Sequence, residues 1–406
     1  MPATALRCRR CETEHALEAV GVCSRCWGPL DPVYDWDELA RTVSRSTIAA
    51  GPWNIWRYHA LLPVERPESL RIAPGMTPLV EVPRLAAAVG VGQLYLKLDT
   101  ANPTHSFKDR VAAVAAAKAV ELGMTTLACS STGNLAGAVA ARAAAEGLEA
   151  AVFCPAGLEV EKLVSAAVYG ATIYAVRGTY DHTARLTVEL ALELPSWGFV
   201  NSGLRAYYAE GSKTVGFEIA EQLGWDVPDV IVGPIASGTL FTKTYEGLEQ
   251  LGRIGLIGDE RPRMIGGQAE GCSPVASAFH EERAVKPVRP DSLAKSLAIG
   301  DPADGDLAVA TARSTGGTIQ AVPEDEIGPN MALLAETTGV FGETAAGVTL
   351  GALKEAIAAG RVGPDDRVVL LVTGDGLKTP GPVAGRLRPI AIEADADALL
   401  EQLQAA

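Results

Sequence analysis

The sequence lacks the long apolar run that a membrane span requires. No stretch reaches the ~18 consecutive apolar residues needed, and Arg142 interrupts the alanine-rich segment after Gly133. An excess of basic residues is also missing. Asp and Glu total 49 against 35 Lys and Arg, a net charge of −14, which argues against nucleic acid as a partner. An apolar leader core is absent as well, because Arg7, Cys8, Arg9, Arg10 and Cys11 stand where it would lie. A cytoplasmic location with no membrane partner is therefore expected. Neither internal repeats nor low-complexity tracts occur beyond a general richness in alanine. What remains is 48% hydrophobic and 21% charged, the reverse of a disordered chain. Its 406 residues provide for more than one domain at roughly 100–200 residues each.

The seven cysteines are unevenly spread, with four in the first 26 residues. Cys8-x2-Cys11 and Cys23-x2-Cys26 are separated by eleven residues. Each pair can turn two thiolates onto one ion, and two pairs complete a tetrahedral four-cysteine site. A segment this short cannot bury a core of its own, so structural Zn2+ would supply its folding energy. His15 is a spare ligand that four cysteines leave unneeded. A closed site has no open position for catalysis. Disulfides are the competing reading, and a cytoplasmic chain argues against them. Arg7, Arg9, Arg10 and Arg25, mixed with Glu12, Glu14, Glu18 and Asp31, read as a solvated surface. Cys129, Cys154 and Cys272 lie in apolar segments and read as core thiols.

From about Thr77 onward, short apolar runs alternate with helical stretches. Strands are expected at Leu94–Leu98, Thr125–Cys129, Ala150–Cys154, Thr172–Val176, Asp229–Val232, Arg263–Gly266 and Arg367–Val372. Helices are expected at Asp109–Leu122, Leu135–Glu146, Val160–Tyr169, His182–Leu192, Glu210–Leu223 and Leu240–Gly252. Most strands are uninterrupted apolar runs, as parallel strands covered on both faces should be. The fold class is therefore α/β with open parallel sheets, whose ligands sit where strands open into helix N-termini. The expected division is a ribbon over 1–30, a connecting arm and start of the large domain over 31–101, a small α/β domain over 102–200, a large α/β domain over 201–390 and a helical tail over 391–406.

Four loops carry the chemistry. Asn102–Arg110 delivers Lys108 to a helix start, where the positive end of the dipole favours the neutral amine that carbonyl chemistry needs. From this loop alone, an ordinary surface lysine is the better reading. Ser130-Ser131-Thr132-Gly133-Asn134 offers hydroxyls and free amides to a carboxylate or phosphate, with a simple helix cap as the alternative. Gly233–Thr239 follows an apolar strand and resembles a phosphate cradle, with Ala236, Ser237, Gly238 and Thr239 at its tip. Thr373-Gly374-Asp375-Gly376 would place the Thr373 hydroxyl at the end of another strand. An amine, an anion site, a phosphate cradle and a neutral hydroxyl together suit pyridoxal 5'-phosphate.

The order of these segments, with Tyr207–Thr214, Ala294–Pro302 and Glu343–Gly347 between them, resembles the threonine synthases. That family belongs to the fold-type II (tryptophan synthase β-like) pyridoxal-phosphate enzymes, in which the cofactor lies between two open parallel-sheet domains. The subgroup resembled carries an N-terminal zinc ribbon. The resemblance implies that Lys108 forms the Schiff base and moves the Cα proton. It implies that Asn134 meets the cofactor's 3′-oxygen, that Ala236, Ser237, Gly238 and Thr239 hold its phosphate, and that Thr373 faces the ring nitrogen. Ser131 and Thr132 would bind the substrate carboxylate. Ser202, Arg205 and Lys213 are candidates for the substrate phosphate, Arg205 standing two positions before the arginine of many family members, where this chain has Tyr207. The implied reaction is γ-elimination and β-addition on O-phosphohomoserine, giving threonine and phosphate, in a homodimer. Competing readings are a cysteate synthase, a threonine or serine dehydratase, and a catalytically silent binding protein on the same fold.

Overall fold

A computed structural model describes residues 3–65, 67, 72–131, 133–157, 160–178, 180–392 and 394–405. Among them lie three sheets. The largest has six strands in the order Thr318–Val322, Arg263–Ala269, Val230–Pro234, Arg367–Val372, Gln93–Leu98 and Leu79–Glu81. All neighbours are parallel except the last pair. The second sheet is parallel throughout and runs Thr172–Val176, Glu149–Pro155, Thr126–Ser130, Trp197–Phe199. No helix among the described residues is long and apolar enough to cross a membrane.

The central strands are buried at nearly every position, as the apolar runs predict, because helices cover both faces. Val232 pairs with Ile265 on one side and Leu370 on the other. That register brings the loop after Val230–Pro234 and the loop beginning at Thr373 out side by side at the strands' C-terminal ends. Ser130 ends its strand in the smaller sheet in the same way.

The third sheet is antiparallel, with order Glu14–His15, Ala3–Cys8, Leu30–Tyr34. Its last strand runs past residue 30, into the stretch expected as a connecting arm. Leu6, Cys8, Cys23 and Leu30 share one buried cluster with Ala112, Ala116, Leu204 and Tyr207. The ribbon thus completes its core on the body of the protein.

The expected helix Glu210–Leu223 is instead three pieces: Arg205–Glu210, a 3-10 turn Gly211–Lys213 and Thr214–Gln222. Gly211 sits so close to the Lys108 helix that a Cβ there would lie 2.6 Å from the Arg110 carbonyl oxygen. Beneath this contact the Arg110 guanidinium is fully buried. It donates to Asp99 at 2.8 Å and to Glu218 at 2.8 Å, and Lys97 donates to the same Glu218 at 2.6 Å. A buried carboxylate survives on such pairing. Burial pushes Glu218 up, but Arg110 and Lys97 outweigh it and hold the carboxyl at about 2.

Candidate active site

Lys108 opens the helix Lys108–Glu121. Its amine donates to the Tyr208 hydroxyl at 3.3 Å and no carboxylate pairs with it among the described residues. The loop before it is tied to the Thr373 loop. The Phe107 N–H donates to the Thr373 carbonyl at 2.8 Å, Asp375 N–H donates to the His105 carbonyl at 3.1 Å, and Ser106 bridges Gly374. His105 holds a φ of +59° there, a strained geometry that the surrounding bonds fix. Asp109 locks the loop from inside, accepting from the Thr104 N–H at 2.8 Å and hydroxyl at 2.9 Å.

Asn134 begins the helix Asn134–Glu146, whose N-terminus carries no side-chain cap among the described residues. Its amide donates to Glu343 at 3.0 Å and its oxygen accepts from Lys378 at 2.9 Å. The Thr373 hydroxyl reaches the other Glu343 oxygen at 3.5 Å. Glu343 is buried, which raises its carboxyl above the usual range despite the Asn134 bond and nearby Lys378. Ser131 lies beside this helix start, its hydroxyl accepting from the Gly133 N–H at 3.3 Å. Thr132 falls outside the described residues.

The cradle helix Thr239–Arg253 is likewise uncapped by any side chain. Gly238 before it has φ +93°, and a Cβ there would sit 2.7 Å from the Asp304 carbonyl oxygen. Glycine is required for both reasons. The Ser237 and Thr239 hydroxyls lie 3.1 Å apart, with Ala236 partly buried beside them. Two uncapped helix N-termini are ready-made anion sites. With an amine free of acidic partners, they fit pyridoxal phosphate and an amino-acid carboxylate.

Ser202 and Arg205 occupy one turn, the Arg205 N–H donating to the Ser202 carbonyl at 3.0 Å. The Ser202 hydroxyl is buried without a hydrogen-bond partner. Arg205 donates to Asp304 at 2.9 Å, and Asp304 accepts from the Thr239 hydroxyl at 2.6 Å. Lys213 lies elsewhere. It is fully buried, its amine is paired with Glu210, and it donates to the Tyr34 hydroxyl at 2.9 Å. The structure therefore brings Arg205, and not Lys213, beside the cradle.

The ribbon's Sγ atoms of Cys8, Cys11, Cys23 and Cys26 all lie within 4.8 Å of one another, and all seven cysteines are free thiols. Cys8 and Cys26 are 3.4 Å apart, Cys11 and Cys23 3.6 Å. Those spacings are close to the ~3.8 Å edges of a tetrahedral zinc–thiolate site. The Arg10 and Arg25 N–H groups donate to Cys8 and Cys23 at 3.4 Å each, which orients the sulfurs. The His15 ring lies 3.4 Å from Cys23.

A family model described as pyridoxal-phosphate dependent enzyme matches residues 70–374. Threonine synthase of Methanosarcina acetivorans is 36% identical over 98% of both chains. That of Methanocaldococcus jannaschii is 33% identical over 97% of this chain and 98% of its own. The chain belongs to the threonine synthase family. Among solved structures, maize serine racemase aligns with a TM-score of 0.61 at 19% identity, covering 81% of this chain and 93% of its own. Processed threonine deaminase isoform 2 of Solanum lycopersicum aligns at 0.63 and 17% identity, covering 100% and 93%. These last two show the fold-type II architecture. The family membership removes the silent-binder reading, and the protein is a pyridoxal-phosphate-dependent enzyme homologous to lyases.

Four site residues escaped the reading of the sequence. Tyr208 lies in Tyr207–Thr214, where its residue type alone implies no role. Glu343 likewise stood in a motif without a function. Asp304 lies two residues beyond the segment Ala294–Pro302. Arg9 was expected in a solvated surface; instead its side chain is 22% exposed and bonded to Asp31 and Asp304. Arg7 does fit that expectation, pairing with an exposed Glu14.

Proposed function

We propose that the protein converts O-phosphohomoserine and water to threonine and phosphate. The observation that carries the reading is the arginine beside the cradle loop: Arg205, one turn from Ser202, shares Asp304 with the Thr239 hydroxyl. An enzyme acting on an unphosphorylated amino acid has no use for that arginine. Pyridoxal phosphate, when bound, supplies an electrophilic carbonyl and an electron sink for charge developing at the substrate carbons.

The chain's own groups do the rest. Ser237, Gly238, Thr239 and Ala236 would hold the cofactor phosphate at the cradle helix, and Asn134 and Thr373 would meet its ring. Ser131, Thr132 and the amides at the Asn134 helix start take the substrate carboxylate. The Lys108 amine, unpaired with acid, removes the Cα proton and later returns one. The Cγ–O bond breaks with its electrons going to the departing phosphate, which takes up the Cβ proton, and Arg205 and Ser202 receive that phosphate. Water then adds at Cβ while protons return to Cα and Cγ. The four-cysteine cluster would hold Zn2+ in a closed, structural role. Purified protein should release phosphate and threonine from O-phosphohomoserine, faster than it turns over O-phosphoserine with sulfite, threonine or serine. Lys108→Ala should abolish this and the borohydride-sensitive yellow band. Turnover surviving in Lys108→Ala, or a preference for an unphosphorylated substrate, would refute the reading.

A further inference from the structure

The ribbon makes three separate contacts with the elements that carry the proposed phosphate pocket. Gly21 packs on the Ser202 backbone so closely that a Cβ would lie 2.9 Å from the Ser202 carbonyl oxygen. The Tyr207 hydroxyl donates to the Glu18 carbonyl at 3.1 Å. Arg9, between the cysteines of the first pair, donates through Nη1 to Asp304 Oδ1 at 2.7 Å.

The third contact has a chemical consequence. Asp304 is a carboxylate with a side chain 1% exposed. Its Oδ1 is held by Arg9, and its Oδ2 by Arg205 and Thr239. Its own N–H donates to the Ser237 carbonyl at 2.8 Å. One buried acid thus touches the ribbon, the substrate-phosphate arginine and the cofactor cradle. Arg205 spends one Nη2 bond on Asp304 and must turn toward an arriving phosphate. If Asp304 had no other cation, Arg205 would be trapped, because a buried carboxylate stripped of its partner is strongly unfavourable. Arg9 removes that trap. It is itself fixed by Asp31, which Lys243 of the cradle helix also engages at 3.2 Å, and Lys243 donates to the buried Glu210 at 2.7 Å.

We propose that Arg9 is a positioning residue of the active site, the standing counter-ion of Asp304 that frees Arg205 to bind the phosphate of the substrate. The ribbon is then a wall of the phosphate pocket as well as a terminal module. This rests on the assignment of Arg205 to the substrate phosphate, and inorganic phosphate serves as a probe that does not depend on which amino acid is the substrate.

The test uses cofactor-loaded full-length protein. In Arg9→Met, Arg205 stays locked on Asp304. The dissociation constant for inorganic phosphate and KM should each rise about ten-fold or more, with a smaller change in kcat. Arg9→Lys should recover most of the loss. In an Asp304→Asn background there is no carboxylate to neutralise, so adding Arg9→Met should change phosphate affinity by less than about two-fold. That double variant also leaves no buried unpaired acid, so it remains informative if Arg9→Met alone does not fold. The proposal is overturned if Arg9→Met lowers the melting temperature but leaves phosphate affinity and KM as they were. It is equally overturned if the double variant loses a further ten-fold over Asp304→Asn. If wild type binds phosphate with this Arg9 dependence yet makes no threonine, the substrate assignment fails and the role of Arg9 stands.

Discussion

The Tyr208 hydroxyl stands 3.3 Å from the Lys108 amine, and the short helix that carries it, Arg205–Glu210, also carries Arg205. The proposed proton-moving group and the proposed phosphate-binding group are therefore mounted, directly or through one hydrogen bond, on the same six residues. Tyr208→Phe keeps the ring and removes the hydroxyl. Misplacing a catalytic group can cost on the order of 100-fold in rate. The expected variant retains its yellow band and its phosphate affinity while kcat falls by about that factor. Unchanged turnover would make the hydroxyl a bystander.

Glu343 gives a prediction in pH. Burial raises its folded carboxyl above the unfolded value, so over that interval the folded protein binds more protons than the unfolded chain. Stability then falls as pH rises from the ordinary carboxylate range through the raised value, and stays lower above it. Glu343→Gln should melt a few degrees higher than wild type at neutral pH, with the difference shrinking on acidification. Melting curves from pH 4 to 8 decide it, and a difference independent of pH would show that ionisation is not the cause. The same variant changes the partner of Asn134 and Thr373, so a shifted cofactor absorption band is expected.

Metal removal bears on the ribbon. Elemental analysis of dialysed protein should find one zinc per chain, and Cys11→Ser should hold far less. Since Leu6, Cys8, Cys23 and Leu30 pack into the same buried cluster as Ala112 and Tyr207, the loss should lower the melting temperature of the whole protein by about 5 °C or more. A metal-free wild type that melts unchanged would show that packing alone holds the ribbon.

How much of this was legible depends on the range of the interaction. The Gly238 cradle and the Thr373 hydroxyl follow apolar strands within a few residues, and a strand that ends in glycine and hydroxyls announces a ligand loop. Arg367–Val372 and Thr172–Val176 stand where the apolar runs placed them. Leu30–Tyr34 and Thr318–Val322 were not visible. The first contains Asp31 and Pro32 and is a strand through its pairing with Ala3–Cys8; the second lies at the edge of its sheet, with polar and exposed positions mid-strand. The break at Gly211 comes from a neighbouring helix, not from local propensity. Lys213 reads as a free cation until its surroundings show Glu210 and Tyr34 around it. Asp304 and its partners are separated by 65, 99 and 295 positions, distances at which spacing carries no signal.

The longest of those separations also sets an order of assembly. The cysteine pairs leave the ribosome before the two parallel sheets that follow them, and a metal ion can shape that turn before those sheets are made. Asp304 arrives only after both parallel sheets have most of their strands. The arginine is thus in place first, and the acid must be docked onto it by the closing body of the protein. Errors late in synthesis or refolding should therefore give molecules whose metal-held turn has formed and whose phosphate pocket is unfinished.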